Sequence, residues 1–120
     1  MTSRKSGRHP RAERVQVRFT KWAVEDLRKL QRINPTAVLI VAAKIEMIER
    51  NPEVGQPLRG ALAGFRKLAV QNRQLRIIWC VTWEDDGTAI VDIAEIWAVG
   101  HRRDDEVYRT MSKRAVEPGD

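Results

Sequence analysis

The stretch FRKLAVQNRQLRIIWCVTWEDDGTAIVDIAEIWA at residues 65–98 decides the fold. Its middle part, residues 75–83, has an apolar side chain at every second position: Leu75, Ile77, Trp79, Val81 and Trp83. This is the period of a strand with one buried face. Residues 65–71 and 88–98 predict a strand on either side, and the glycine of EDDG suits a hairpin turn with positive φ. The stretch therefore predicts a three-stranded antiparallel meander.

The segment in front of the meander predicts a strand followed by two helices. VQVRFT at 15–20 alternates apolar and polar residues, and Thr20 can cap a helix over about 21–32. The apolar positions expected for this helix are Trp22, Leu27, Leu30 and Ile33. Asn34-Pro35 starts a second helix, which stops before Asn51-Pro52.

The elements together predict one α+β domain over residues 15–116 with the helices on one face of a single sheet. A third helix is expected from about Asp104, with acidic residues at its positive N-terminus. Residues 1–14 are expected to be a basic disordered arm and 117–120 a frayed tail.

Charge and cysteine content indicate the kind of partner and the compartment. The net charge is +6, and residues 54–83 contain no acidic residue but five basic ones, Arg59, Arg66, Lys67, Arg73 and Arg76. A stretch of one sign is typical of a surface that meets a polyanion or an acidic partner. The single cysteine, Cys80, is expected to be a buried, reduced thiol of a cytoplasmic protein. The longest apolar run is too short to span a bilayer, and no export signal is expected.

Strand alternation predicts where the cations lie. If the odd residues of 75–83 face the helices, Arg76 faces the opposite way, and Lys67 on the preceding strand shares that face. Arg73 is expected near its rim, while GHRR at 100–103 delivers His101, Arg102 and Arg103 to one end of the sheet. From the pattern alone, Arg59, Arg66 and Arg73 are interpreted as ordinary solvated positions.

Two segments carry a family resemblance. NPEVGQPLRGALAGFRKLAVQNRQLRIIWCV at 51–81 and IAEIWAVGHRRDDEVYR at 93–109 resemble the RelE/ParE superfamily of toxins from type II toxin–antitoxin systems, and WAVEDLRKL at 22–30 fits as well. The most specific element is Val-Gly-x-Arg followed six residues after the arginine by tyrosine. The resemblance covers about 15–115 and implies a RelE-like, microbial-RNase-like fold.

The resemblance implies a ribosome-dependent mRNA endoribonuclease that needs no metal or cofactor and cuts in the ribosomal A site, where the 2′-hydroxyl attacks the adjacent phosphate. It assigns Tyr108 as the base and Arg76 and Arg102 as phosphate contacts. A phenol with its ordinary pKa of about 10 is a poor base, but nearby cations favour the phenolate. The remaining RNA-binding candidates are Lys67, Arg73, His101 and Arg103. The chain departs from the family pattern at Ala69 and at His101, where lysine is common.

Several alternatives stay open at the level of sequence. Tyr108 could pack beside Val107 and Met111, and His101 could be an ordinary surface residue or share the acid–base work. The expected partners are a RelB-like or other antitoxin, the ribosome and mRNA, with operator DNA met only through the antitoxin complex. The competing functions are a ParE-type inhibitor that binds DNA gyrase, and an inactive relative that binds its antitoxin alone.

Overall fold

The computed structural model describes residues 15–70, 74–85, 87–101 and 106–115. The predicted arm and tail, at 1–14 and 117–120, lie outside the described residues. The elements are strand β1 (Gln16–Phe19), helices α1 (Lys21–Ile33) and α2 (Pro35–Arg50), strand β2 (Gln56–Pro57), a short 3₁₀ turn (Gly60–Leu62), strands β3 (Phe65–Val70), β4 (Leu75–Asp85) and β5 (Ile90–His101), and helix α3 (Glu106–Arg114).

Helices α1 and α2 each begin directly after the residue predicted to cap them, Thr20 and Asn34. The hydroxyl of Thr20 accepts a hydrogen bond from the Ala23 amide at 3.2 Å, and the Asn34 side chain accepts one from the Ala37 amide at 3.2 Å. These oxygens satisfy amides that have no partner in the first helical turn. No helix among the described residues is long and apolar enough to cross a membrane.

The sheet has the order β1-β5-β4-β3-β2, with β1 parallel to β5 and the other neighbours antiparallel. The predicted meander is confirmed as β3–β4–β5. Strand β5 runs to His101 instead of ending near residue 98, because Leu75 and Arg76 at the start of β4 pair with His101 and Gly100. His101 therefore belongs to the strand and not to a segment that leaves it.

The apolar core is divided between the two faces of the sheet. On one face, Ile77 and Trp79 pack with the α1–α2 hairpin. On the other face, Ile78 packs with Val107 and Met111 of α3. The prediction that all helices lie on one face is therefore wrong. Its physical reason is that neighbouring strand residues point to opposite faces, so the apolar Ile77-Ile78 pair needs cover on both.

Strand β5 contains a β-bulge at Trp97. Ile78 pairs with Ala98 while Trp79 pairs with Ile96, so Trp97 is an extra residue opposite β4. Its ring lies on the α3 side of the sheet, 5.2 Å from the ring of Phe65 and 5.5 Å from that of Trp22.

Three side chains are more exposed than predicted. Ile33, at the end of α1, is 78% exposed, so it is not part of the buried stripe of that helix. Trp83 and Cys80 are only half-buried. Trp83 lies two residues from the end of β4, near the turn into β5. Cys80 lies on the α3 side, with its sulfur 3.9 Å from Oε1 of Glu95.

Candidate active site

Lys67 and Arg76 lie on the same face of the sheet, as strand alternation predicts. In the register of β3 and β4, Lys67 is opposite Ile78 and Arg76 is opposite Ala69. The two cations are therefore diagonal neighbours, a spacing of about 7–8 Å between Cα atoms that long side chains can bridge. Both side chains are half-buried. This face is the one that α3 covers in part.

Tyr108 on α3 meets this pair of strands. The Lys67 ammonium lies 5.7 Å from the centre of the Tyr108 ring, within the range of a cation–π contact. The ring also packs at the edge of the small core that contains Val107 and Met111. The half-buried ring of Tyr108 therefore does both: one part packs against this core, and another part approaches the Lys67 ammonium.

Gly100 allows α3 to come close to the sheet. A Cβ atom at this position would lie 3.2 Å from Cγ2 of Val107, which is tighter than an ordinary van der Waals contact. Gly100 is also the cross-strand neighbour of Arg76. The glycine of the Val-Gly-x-Arg element therefore brings α3 down beside Arg76 and Lys67.

The remaining candidates are only partly within the described residues. His101 is exposed at the end of β5. Arg73, Arg102 and Arg103 lie outside the described residues, so their roles stay predictions. The structure thus gathers Lys67, Arg76 and Tyr108 on one face.

A cleft of about 620 Å³ opens beside this group, between the C-terminal half of α1, the end of β5 and α3. Lys29, Arg32 and His101 are exposed at its walls, and Leu75 and Val107 are buried at its base. Glu106 and Asp26 also line the cleft, so its charge is mixed. Lys29 and Arg32 place two further cations near the end of the sheet.

Arg66 has a structural role instead of the solvated position that was predicted. Its guanidinium donates hydrogen bonds to the carbonyl oxygens of Glu53 at 2.6 Å, Val54 at 3.1 Å and Gly55 at 3.3 Å. Three carbonyls on one guanidinium hold the loop between α2 and β2 against β3.

Sequence reasoning missed Asp26 and Arg114. The Arg114 guanidinium donates to both carboxylate oxygens of Asp26, at 2.9 and 3.0 Å, and to the carbonyl of Trp97 at 2.9 Å. Asp26 also accepts a hydrogen bond from the Val99 amide at 3.0 Å. The paired residues are 88 positions apart, and neither lies in a local pattern that indicates the contact.

Comparisons with known proteins agree with this architecture. A family model described as the ParE toxin of type II toxin–antitoxin systems, parDE, matches residues 17–106. The chain is similar to the YoeB/ParE toxin from Agrobacterium tumefaciens, with a TM-score of 0.59 and 20% identity over 73% of this chain and 99% of that one. At that identity the likeness shows the fold alone.

A second similar structure is the toxin–antitoxin complex RelBE2 from Mycobacterium tuberculosis. The TM-score is 0.54 and the identity 30%, over 78% of this chain and 98% of the matched chain. No curated protein matches the sequence.

Proposed function

Because this chain belongs to the ParE toxin family of type II toxin–antitoxin systems, we propose which reaction it performs: ribosome-dependent cleavage of mRNA in the A site. The observation that carries this proposal is the Lys67 ammonium over the Tyr108 ring, on the sheet face that also holds Arg76. A phenol beside one cation, on a partly open face that holds a second cation, is suited to act on a phosphodiester with a neighbouring hydroxyl group.

The proposed reaction needs no nucleophile from the protein. The 2′-oxygen of the substrate forms a bond to the adjacent phosphorus, the bond from phosphorus to the 5′-oxygen breaks, and a cyclic phosphate results. The phenolic oxygen of Tyr108 accepts the proton of the 2′-hydroxyl. The leaving 5′-oxygen takes a proton from water, because His101 pairs with Leu75 and so lies on the hairpin face of the sheet.

Lys67 and Arg76 stabilise the negative charge that grows on the phosphate oxygens in the transition state. Their diagonal spacing across β3 and β4 lets both reach one phosphate group. Arg102, which the family pattern pairs with Tyr108, is proposed as a further phosphate contact. Lys67 has a second effect, because its cation–π contact fixes the tyrosine ring over the strands.

The test is a cleavage assay with purified protein, ribosomes and a defined mRNA, read by primer extension. Tyr108→Phe, Lys67→Met and Arg76→Ala are each expected to slow cleavage by about 10²–10³-fold, the usual effect of removing one such group. Arg50→Ala is the control, because Arg50 is exposed at the end of α2, on the hairpin side of the sheet. Thermal melts establish that each variant folds. Unchanged cleavage by all three variants would refute the assignment.

A second candidate function is inhibition of DNA gyrase by binding, favoured by the match to the ParE toxin family model over residues 17–106. A supercoiling assay with purified gyrase separates the two. Inhibition of gyrase without mRNA cleavage would replace the nuclease by this candidate.

The partner of the toxin is a cognate antitoxin, and we propose that an amphipathic segment of it lies in an apolar groove of about 300 Å³. The groove is lined by Phe19 of β1, by Val24, Leu27, Arg28 and Gln31 of α1, and by Val38 of α2. Phe19 in the groove is 40% exposed, and Leu39, the residue after Val38 on α2, is 72% exposed, so both offer apolar surface to a partner.

The antitoxin proposal is tested by co-purification with the protein encoded beside the toxin. Leu27→Glu places a charge in the groove and should weaken co-purification by at least tenfold, since a buried unpaired charge is costly. Arg50→Ala should leave it unchanged. Equal recovery of both variants with the partner would rule out the groove as the docking site.

A further inference from the structure

Helix α3 carries Tyr108 but has little to hold it in place by itself. It is 9 residues long, and its buried residues are Val107 and Met111. Helices of this length are marginal in water without tertiary contacts. Its N-terminal half rests against Gly100 through Val107, at the close approach already described. What fixes its C-terminal half therefore decides how firmly Tyr108 is positioned.

The C-terminal half is fixed by an ion pair that we call the α1–α3 clasp, formed by Asp26 and Arg114. The two side chains are only 16% and 14% exposed, and they make a bidentate contact. Arg114 also lies 5.8 Å from the ring centre of Trp22. A bidentate arginine–carboxylate pair is directional as well as strong, because both groups are planar.

The clasp lies at the edge of β5, just beyond the end of its pairing with β1. The pairing of β1 with β5 ends at Phe19 and Ile96, where the chain turns into α1. Just beyond that point, the Trp97 carbonyl accepts from Arg114 and the Val99 amide donates to Asp26. One acid and one base thus satisfy the two backbone groups that a neighbouring strand would otherwise bond. The ion pair therefore joins α1 to α3 and both helices to strand β5.

We propose that Asp26 and Arg114 are positioning residues for Tyr108. The clasp and the Gly100–Val107 contact hold α3 at two points, and Tyr108 lies between them along the helix. With the clasp intact, the phenol stays over Lys67. Without it, α3 keeps only its N-terminal contact and the small core, and the ring can move away. This inference rests on the proposed function of Tyr108.

The test uses the fact that Tyr108 is the single tyrosine of the chain. Protein labelled with 3-fluorotyrosine gives one ¹⁹F NMR resonance, which reports the surroundings of this ring without any activity assay. Asp26→Asn keeps the shape of the clasp but removes its charge. The matched control is Glu84→Gln, because Glu84 also receives two hydrogen bonds from an arginine, Arg18, at 2.9 and 3.2 Å, in an exposed pair distant in sequence from α3.

We expect Asp26→Asn to shift, broaden or split the ¹⁹F resonance, and to lower kcat for A-site cleavage roughly 10–100-fold with little change in KM, since small misplacements of a catalytic group have effects of that size. Glu84→Gln should do neither. If Asp26→Asn does not fold, Arg114→Lys serves instead, because it keeps the charge and loses the fork.

The outcomes separate the two proposals. An unchanged ¹⁹F resonance together with a kcat within twofold of the original protein would overturn the clasp inference. A clear spectral change in a protein that never cleaves mRNA would support the clasp as the anchor of the ring, while the nuclease assignment failed.

Discussion

The indole of Trp79 offers a quantitative test of how the loop between α2 and β2 is held. Trp79 is fully buried, and its ring N–H donates to the carbonyl of Pro52 at 2.8 Å. Replacing it in Trp79→Phe leaves that buried acceptor without its donor, at a cost of about 1–3 kcal/mol. The missing ring atoms leave a void that adds about 1 kcal/mol. We therefore expect the free energy of unfolding to fall by about 2–4 kcal/mol.

The matched control is Trp97→Phe, since the Trp97 indole also donates a hydrogen bond at 2.8 Å, to Glu95. Trp97 is half-buried, so water can replace the lost contact and the expected loss is below about 1 kcal/mol. Urea unfolding measures both, with the midpoint of Trp79→Phe falling by about 1–2 M at an unchanged m-value. Equal losses for the two variants, or a loss below about 1 kcal/mol at Trp79, would refute the reasoning.

Three further outcomes are expected. Gly100→Val adds atoms where Val107 already lies close, so it should displace α3 and slow A-site cleavage at least roughly tenfold. The circular dichroism spectrum should stay that of a folded protein. A normal cleavage rate would contradict the close approach. Thr20→Ala, which removes the cap of α1, should cost about 1 kcal/mol of stability in urea unfolding. The Arg18 guanidinium holds the pKa of Glu84 below its usual range, so the pair stabilises the fold above the unfolded pKa of about 4.3. The difference in melting temperature between the original protein and Glu84→Gln should close as pH falls through the lowered pKa, and a difference that persists at pH 2 would contradict this.

Local chemistry predicted the parts of the fold that depend on near neighbours. Thr20 and Asn34 cap their helices because a cap needs only the next three residues. Ile77 and Trp79 face the hairpin because alternation is a property of one strand. The shared face of Lys67 and Arg76 follows from the same rule applied to two strands joined by a short connection.

What sequence could not supply depends on contacts between distant segments. Helix α3 packs on the face of the sheet that holds Ile78. The sequence alone did not show whether this apolar side chain is covered by a helix or exposed to solvent. Tyr108 entered as a candidate through the family resemblance, and its approach to Lys67 is a property of the folded chain. The bond between Asp26 and Arg114 has no local signature at all.

The extra residue in β5 has a consequence for how this protein tolerates insertions and deletions. Because Trp97 has no opposite number on β4, the first and last parts of that strand are out of step by one residue. Deleting the Trp97 codon would remove the bulge and leave Ile96, Ala98, Val99 and Gly100 in strict one-to-one pairing with β4. Gly100 would still face α3 and Val99 would still face the hairpin. A one-residue deletion at this spot should therefore leave the pairing of the strand end intact, and its cost should be confined to the contacts of the indole with Trp22 and Phe65.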